Sequence, residues 1–178
     1  MLLPIAAAVQ VWLLCAPERR QAAIWAISLL FCCGATVLLK IYFAACPYAG
    51  IDSPSGHAAL SVFVYGGLAA ILGTRADRFP KILLTAAGIA LLVAIPVTRV
   101  ILGAHSITEV LIGMAIGGMA LAPFAATIIR HPVLMPAKSL IIVTILIAVV
   151  LHDKDVQVEG LFRFLADYLH SFRANICV

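Results

Sequence analysis

The sequence is divided into apolar runs, separated by short segments that hold most of its charged residues. Of the 178 residues, 64% are hydrophobic and only 11% are charged, whereas about a quarter of the residues are charged in a soluble domain. A membrane-crossing helix needs about 20 apolar residues, so the length suits about six such helices and leaves no room for a soluble module. We therefore expect an all-α protein, a polytopic helical bundle that forms one integral membrane domain over residues 1–178.

Charged or proline-rich breaks define the six expected transmembrane helices. Their boundaries are Leu2–Ala16, Ala22–Tyr42, His57–Gly73, Ile82–Val97, Ile107–Ile129 and Leu140–Leu151. Gly113, Gly117 and Gly118 suit close packing of the fifth helix. After Lys154, apolar residues recur at helical spacing among charged ones. This pattern predicts an amphipathic helix over residues 155–175, which lies in the membrane interface or packs against the bundle or a second subunit.

The distribution of basic residues predicts the orientation of the bundle. The segments after the first, third and fifth runs hold only two acidic residues and seven of the 12 basic ones, namely Arg19, Arg20, Arg75, Arg78, Lys81, Arg130 and Lys138. Short loops rich in lysine and arginine remain in the cytoplasm, so the opposite ends of the helices are expected to face outward. The predicted location is a cell membrane, the inner membrane of a bacterium. The net charge of +4 is too small to indicate a nucleic-acid partner.

The five cysteines have neither zinc-site nor redox-motif spacing. Cys32 and Cys33 lie inside an apolar run, where thiols are usually inert packing. A disulfide between Cys46 and Cys177, which can lie on the same side of the membrane, is the less favoured alternative for that pair. No cluster of Asp, Glu and His has the ligand count of a divalent-metal site, so we expect neither a metal nor another cofactor.

The first motif that carries chemistry is Pro54-Ser55-Gly56-His57, at the start of the third run. Proline suits the first turn of a helix, with one of the two preceding residues as the cap. The amides of Ser55 and Gly56 would then be free to bind an anion, helped by the helix dipole. The Ser55 hydroxyl adds a donor, and His57 can protonate a leaving oxygen. The structural alternative is a helix start with a hydrated histidine.

The second motif, Arg99-x5-His105-x3-Glu109, spans the break between the fourth and fifth runs. Arginine presents a planar fork of donors to phosphate oxygens, and Gly103 lets the turn bend. His105 and Glu109 are four residues apart, so on a helix the carboxylate can hold one imidazole nitrogen while the other attacks phosphorus. Glu109 can instead form a capping box with Ser106, and the sequence leaves both interpretations open.

With these two motifs, the chain resembles the type 2 phosphatidic acid phosphatase family. The family pattern is Lys-x6-Arg-Pro, then Pro-Ser-Gly-His, then Ser-Arg-x5-His-x3-Asp. The second block matches in full, and the third matches with Thr98 in place of serine and Glu109 in place of aspartate. Of the first block Lys40 is present, whereas Pro47 occupies the arginine position. The resemblance extends over residues 35–125.

The resemblance implies a metal-independent phosphatase that hydrolyses a lipid phosphomonoester or diphosphate at the outer leaflet. His105 would form a phosphohistidine, Glu109 would orient it, and His57 would be the general acid. The phosphate would be held by Lys40, Ser55, Gly56 and Arg99. Candidate substrates are polyprenyl phosphates or diphosphates, phosphatidate, phosphatidylglycerophosphate and lipid A phosphate. The alternatives are a phosphotransferase that uses the same histidine, and a non-catalytic lipid-phosphate binder or transporter. The oligomeric state stays open.

Overall fold

The computed structural model describes residues 2–46, 53–74 and 78–133 and, beyond them, residues 140, 142–144 and 146. Within these residues all regular structure is helical, with six helices overall, as predicted. Five are α1 (Leu2–Leu14), α2 (Arg19–Ala45), α3 (Gly56–Gly73), α4 (Arg78–Ile101) and α5 (Ile107–Arg130). The sixth is represented by residues 140, 142–144 and 146, which are helical. The amphipathic helix predicted over 155–175 lies outside the described residues.

Three helices of the described chain are long and apolar enough to cross a membrane. They are Arg19–Phe43 of α2, Gly56–Gly73 and Ile107–Arg130. Two further apolar helices are shorter, namely α1 and the segment Thr85–Ile101 of α4. At 13 residues, α1 is about 20 Å long, which is less than the hydrocarbon core of a bilayer, about 30 Å. The protein is therefore a helical membrane protein, in which three of the five expected spans that the structure describes in full meet the requirement by length and composition.

The helices are joined around Trp25 of α2, whose side chain is fully buried. The centroid of its ring lies 4.5 Å from that of Phe63 in α3 and 4.7 Å from that of Phe124 in α5. Its indole N–H donates to the carbonyl of Ala6 in α1, with 3.1 Å between the two atoms. One side chain thus contacts three other helices. Lipid tails are as apolar as the side chains, so van der Waals packing and internal hydrogen bonds of this kind hold membrane helices together.

Glycines bring α5 directly against the backbone of α3. A Cβ added to Gly113 would collide with the carbonyl oxygen of Ser55, and one added to Gly117 would collide with that of Ala59. The two contacts advance in the same direction along both helices, so α3 and α5 are parallel and their N-termini share one end of the bundle. Among the described residues, none lies within 4 Å of such a Cβ at Gly118. The prediction of close packing is therefore confirmed for two glycines and wrong for Gly118, which lies on another face of α5.

We expect Gly117→Ala to lower the free energy of unfolding by about 1–3 kcal/mol, the usual cost of overpacking a tight contact. Gly118→Ala is the matched control, because its methyl group enters open space and alanine favours a helix more than glycine does. Thermal unfolding of both variants in the same detergent measures the difference. Equal midpoints for the two variants would contradict the close α3–α5 approach.

The two ends of the bundle differ in chemistry. The C-termini of α2 and α4 and the N-termini of α3 and α5 collect at one end, which carries both sequence motifs. At the other end, the side-chain amide of Gln21 donates to the carbonyl of His131 over 2.6 Å and ties the start of α2 to the end of α5. Arg19, Arg20 and Arg130 belong to this second end. The basic residues of the described helix termini thus cluster at the end opposite the motifs, apart from Lys40 and Arg99.

Cys46, at the C-cap of α2 and thus at the motif end, is disulfide-bonded. A disulfide is thus present at Cys46, where the sequence pattern made one the less favoured alternative. Cys177, the partner considered there, lies outside the described residues. The described free cysteines are Cys15, Cys32 and Cys33, and Cys32 is fully buried in the core, as expected for packing.

Candidate active site

Ser55 ends the segment before α3 and caps the helix, which begins at Gly56. Its side-chain oxygen accepts the amide of Ala58 at 3.4 Å, and the residue is fully buried. This corrects the expectation that a residue before Pro54 caps a helix that starts at the proline. The hydroxyl is an acceptor in this bond and keeps its own O–H, so its role as a donor to a ligand stays a prediction.

The amide of Ser55 is also occupied, since it donates to the backbone carbonyl of Glu109 at 3.0 Å. The prediction that this amide is free to bind an anion is therefore wrong. Within the described part of the chain, the amides of Gly56 and His57 have no acceptor. At the start of α3, an anion can therefore be bound by these two amides and stabilised by the helix dipole.

Three other elements converge on the start of α3. Thr36 of α2 lies against Gly56, where its methyl group would be 3.4 Å from an added Cβ, and Lys40 follows one turn later on the same helix. The His57 side chain is exposed and lies within electrostatic range of Lys40, Arg99 and His105. The structure thus brings together residues of the first, second and third blocks.

The spacing between Arg99 and His105 follows from the way α4 ends. Gly103 has φ of +65°, a left-handed conformation that glycine adopts at little cost. Its amide donates to the Val100 carbonyl and the Ala104 amide to the Arg99 carbonyl, both at 3.0 Å, which is the Schellman pattern of a helix C-terminus. The His105 amide also donates to the Arg99 carbonyl, at 3.3 Å. The chain therefore folds back and places His105 beside the end of α4.

Glu109 holds His105 and caps α5 at the same time. Its Oε2 lies 3.1 Å from Nδ1 of His105 and accepts the amide of Ser106 at 2.9 Å. The Ser106 hydroxyl in turn accepts the Glu109 amide at 3.3 Å, which completes a capping box. Both interpretations that the sequence left open therefore apply together. A proton on Nδ1, donated to the carboxylate, leaves the lone pair on Nε2 of His105 available for attack.

Glu109 also binds the other motif. Its Oε1 accepts the backbone amide of Ser53 at 2.8 Å, in addition to the bond between its carbonyl and the Ser55 amide. The glutamate is buried, with 7% of its side chain exposed, against 16% for His105. The sequence pointed to Ser53 only as a candidate helix cap and did not reveal this bond, because a backbone donor has no side-chain signature that a motif could show.

Arg99 is half-buried at the C-terminal end of α4, and its Nε is buried without a hydrogen-bond partner in the described structure. A buried donor of a charged group is costly to leave unsatisfied, so this nitrogen suits an acceptor that arrives with a ligand. The neighbouring Thr98 takes the serine position of the third block. Its hydroxyl donates to the Ile95 carbonyl of its own helix at 2.7 Å.

The site combines a histidine held by a carboxylate, a second histidine, two cationic side chains and, among the described residues, two unpaired helix amides. Such a set suits the binding of phosphate and its transfer to nitrogen. Among the described residues, no group of three or more His, Cys, Asp or Glu is arranged to hold a metal ion.

Comparison with known proteins adds an independent finding. The family model described as the PAP2 superfamily matches residues 40–131, which is more than half of the chain. The matched region begins at Lys40 and contains both motifs, α3, α4 and α5. No curated protein and no solved structure matches the chain.

Proposed function

Because the chain belongs to the PAP2 superfamily, whose members are generally phosphatases, we propose that it hydrolyses a phosphomonoester or diphosphate of a membrane lipid. The observation that carries the proposal is the contact between His105 and Glu109. It is formed just after the C-terminal end of α4, which carries Arg99 in its last turn. In this arrangement Nδ1 of His105 faces the carboxylate, the His105 amide is bonded to the Arg99 carbonyl, and the Arg99 side chain has a buried donor without a partner in the described structure.

The proposed reaction has two steps. In the first, Nε2 of His105 attacks phosphorus, a P–N bond forms, and the P–O bond to the lipid breaks while His57 gives a proton to the leaving oxygen. In the second, His57 removes a proton from water, which attacks phosphorus and breaks the P–N bond, releasing phosphate. Arg99, Lys40 and the first-turn amides of α3 neutralise the charge that develops on the phosphoryl oxygens.

The lipid nature of the substrate is supported by where the site lies. Of the three helices of spanning length, α2 ends at the site and α3 and α5 begin there. A headgroup can therefore enter the site while its hydrocarbon chains stay in the bilayer. An outward orientation is supported by the basic residues at the opposite end. It is also supported by the disulfide of Cys46, since disulfides persist in oxidising compartments.

Phosphate release from short-chain lipid phosphates tests the proposal. The purified protein is assayed in detergent on polyprenyl phosphate and diphosphate, phosphatidate, phosphatidylglycerophosphate and lipid A phosphate, each with and without EDTA. We expect release from at least one of them, undiminished by EDTA and inhibited by vanadate, which mimics five-coordinate phosphorus. Loss of activity in EDTA with recovery in magnesium would contradict metal independence.

The same assay separates the two alternatives from hydrolysis. Without an acceptor lipid, a phosphotransferase would stop at the phosphohistidine after one equivalent of substrate. With an acceptor, it would form a newly phosphorylated lipid and release no inorganic phosphate. A non-catalytic binder or transporter, which the absence of the first-block arginine favours, would retain the substrate unchanged. Product analysis by mass spectrometry after incubation with and without an acceptor lipid therefore assigns the reaction.

Orientation is tested by thiol labelling of intact cells. Ala104 is exposed beside His105, and Cys15 is exposed at the opposite end of the bundle. In a background whose other cysteines are replaced by serine, we compare a variant that has Ala104→Cys and no Cys15 with one that retains only Cys15. An impermeant maleimide should label the first and not the second. Labelling of Cys15 alone would turn the site toward the cytoplasm.

A further inference from the structure

We infer that the backbone amide of Ser53, held by Oε1 of Glu109, positions the general acid His57 relative to the nucleophile His105. The inference rests on the proposed function and concerns one hydrogen bond, with 2.8 Å between its two atoms. Glu109 then acts on both histidines, on His105 directly and on His57 through the segment before α3.

The geometry shows how firmly this segment is attached. Pro54 has no amide hydrogen, so the segment 53–55 has two backbone donors, those of Ser53 and Ser55. Glu109 accepts both, one with its carboxylate and the other with its backbone carbonyl at 3.0 Å. Pro54 and Ser55 are buried, and His57 follows at once in the first turn of α3. Residue 109 therefore holds the segment that leads directly into His57.

The length of the glutamate side chain matters for this attachment. One carboxylate oxygen reaches Ser53 while the other contacts His105 and the Ser106 amide. An aspartate would place its carboxylate nearer to the α5 backbone by about one C–C bond, roughly 1.5 Å. The contacts of the carboxylate are 2.8–3.1 Å long, and a contact lengthened by about 1.5 Å would exceed hydrogen-bond range. An aspartate could therefore not keep the contacts to Ser53, His105 and Ser106 together. This explains a glutamate where the family pattern has aspartate.

The consequence is specific to the chemical step that His57 performs. A general acid matters most when the leaving oxygen is a poor leaving group, as in an alkyl phosphate, and little when it is a phenolate that leaves without a proton. Loss of the Ser53 bond should therefore slow alkyl substrates selectively. A purely structural defect would slow both substrate types alike.

The test compares Ser53→Pro, which removes the amide hydrogen, with Ser53→Ala, which retains it. For each we measure kcat/KM on a short-chain alkyl lipid phosphate and on p-nitrophenyl phosphate. We expect Ser53→Pro to reduce the alkyl-to-aryl ratio about tenfold or more, and Ser53→Ala to keep the parent's ratio within about twofold. In a His57→Ala background, Ser53→Pro should not change the ratio further. Equal losses on both substrates, or a further change of the ratio without His57, would overturn the inference.

Glu109→Asp is a second test variant, and it decides whether the inference holds if Ser53→Pro does not fold. It keeps the negative charge and is expected to lower the same ratio about tenfold, whereas an unchanged ratio would overturn the inference. Failure of the proposed function is distinguishable, because the parent protein would then release phosphate from neither substrate. If the parent is active and the variants retain its alkyl-to-aryl ratio, this inference is contradicted and the proposed function stands.

Discussion

Replacing His105 with alanine is expected to lower phosphate release by about 1,000-fold or more, because the variant lacks the nitrogen that attacks phosphorus. Removal of a covalent nucleophile is among the largest single-residue effects on catalysis. In the parent, brief incubation with ³²P-labelled substrate should trap an acid-labile phosphoenzyme, which the variant should lack. Loss of turnover together with loss of the trapped species identifies the intermediate as well as the residue.

The matched control for this experiment is His131→Ala. His131 is exposed at the C-cap of α5, at the end of the bundle opposite the site, so its replacement should leave turnover near that of the parent. Size-exclusion behaviour in detergent establishes that both variants fold. Residual turnover of His105→Ala within tenfold of the parent would rule out this histidine as the nucleophile.

Replacing Arg99 with lysine should lower kcat by about 100- to 1,000-fold, the range measured when one donor to a developing oxyanion is removed. Lysine keeps the positive charge but cannot reproduce the planar fork of donors. In particular, it has no counterpart of the buried Nε, which lacks a partner in the described structure. The effect should fall on kcat more than on KM, since the charge on the phosphoryl oxygens grows toward the transition state.

The same substitution at Arg20, which is exposed at the opposite end, serves as the control and should leave kcat unchanged. Steady-state kinetics on the best substrate from the lipid panel measures both variants. If Arg99→Lys retained the kcat of the parent, charge alone would suffice, and the role assigned to the guanidinium fork would have to be abandoned.

The helices of this protein could be predicted closely from its sequence. The third and fifth apolar runs were expected at His57–Gly73 and Ile107–Ile129, and the observed helices are Gly56–Gly73 and Ile107–Arg130. In a bilayer every backbone polar group must be satisfied within the chain, so an apolar run of sufficient length becomes a helix. The expected end of the fourth helix at Val97 was too early, since the helix continues to its glycine cap and carries Arg99 in its last turn.

The local part of the site could be predicted for a similar reason. His105 and Glu109 are four residues apart at the start of a helix, and that spacing alone brings their side chains together. The bend that returns the chain to Arg99 was also predictable, because Gly103 can adopt the left-handed conformation that a helix cap of this kind requires. Each of these features depends on a few consecutive residues.

The contacts between helices were decided by the tertiary structure alone. The sequence does not distinguish Gly113, which admits the Ser55 carbonyl, from Gly118, which faces open space, because the relevant face of α5 depends on how α3 packs against it. Nor does it show that Glu109 accepts the amides on both sides of Pro54. Every residue except proline has the same backbone N–H, so a hydrogen bond to the backbone leaves no trace in a sequence. The apolar pattern therefore determined which segments are helices, and the packing of α3 on α5 determined which backbone donors remain free for a ligand.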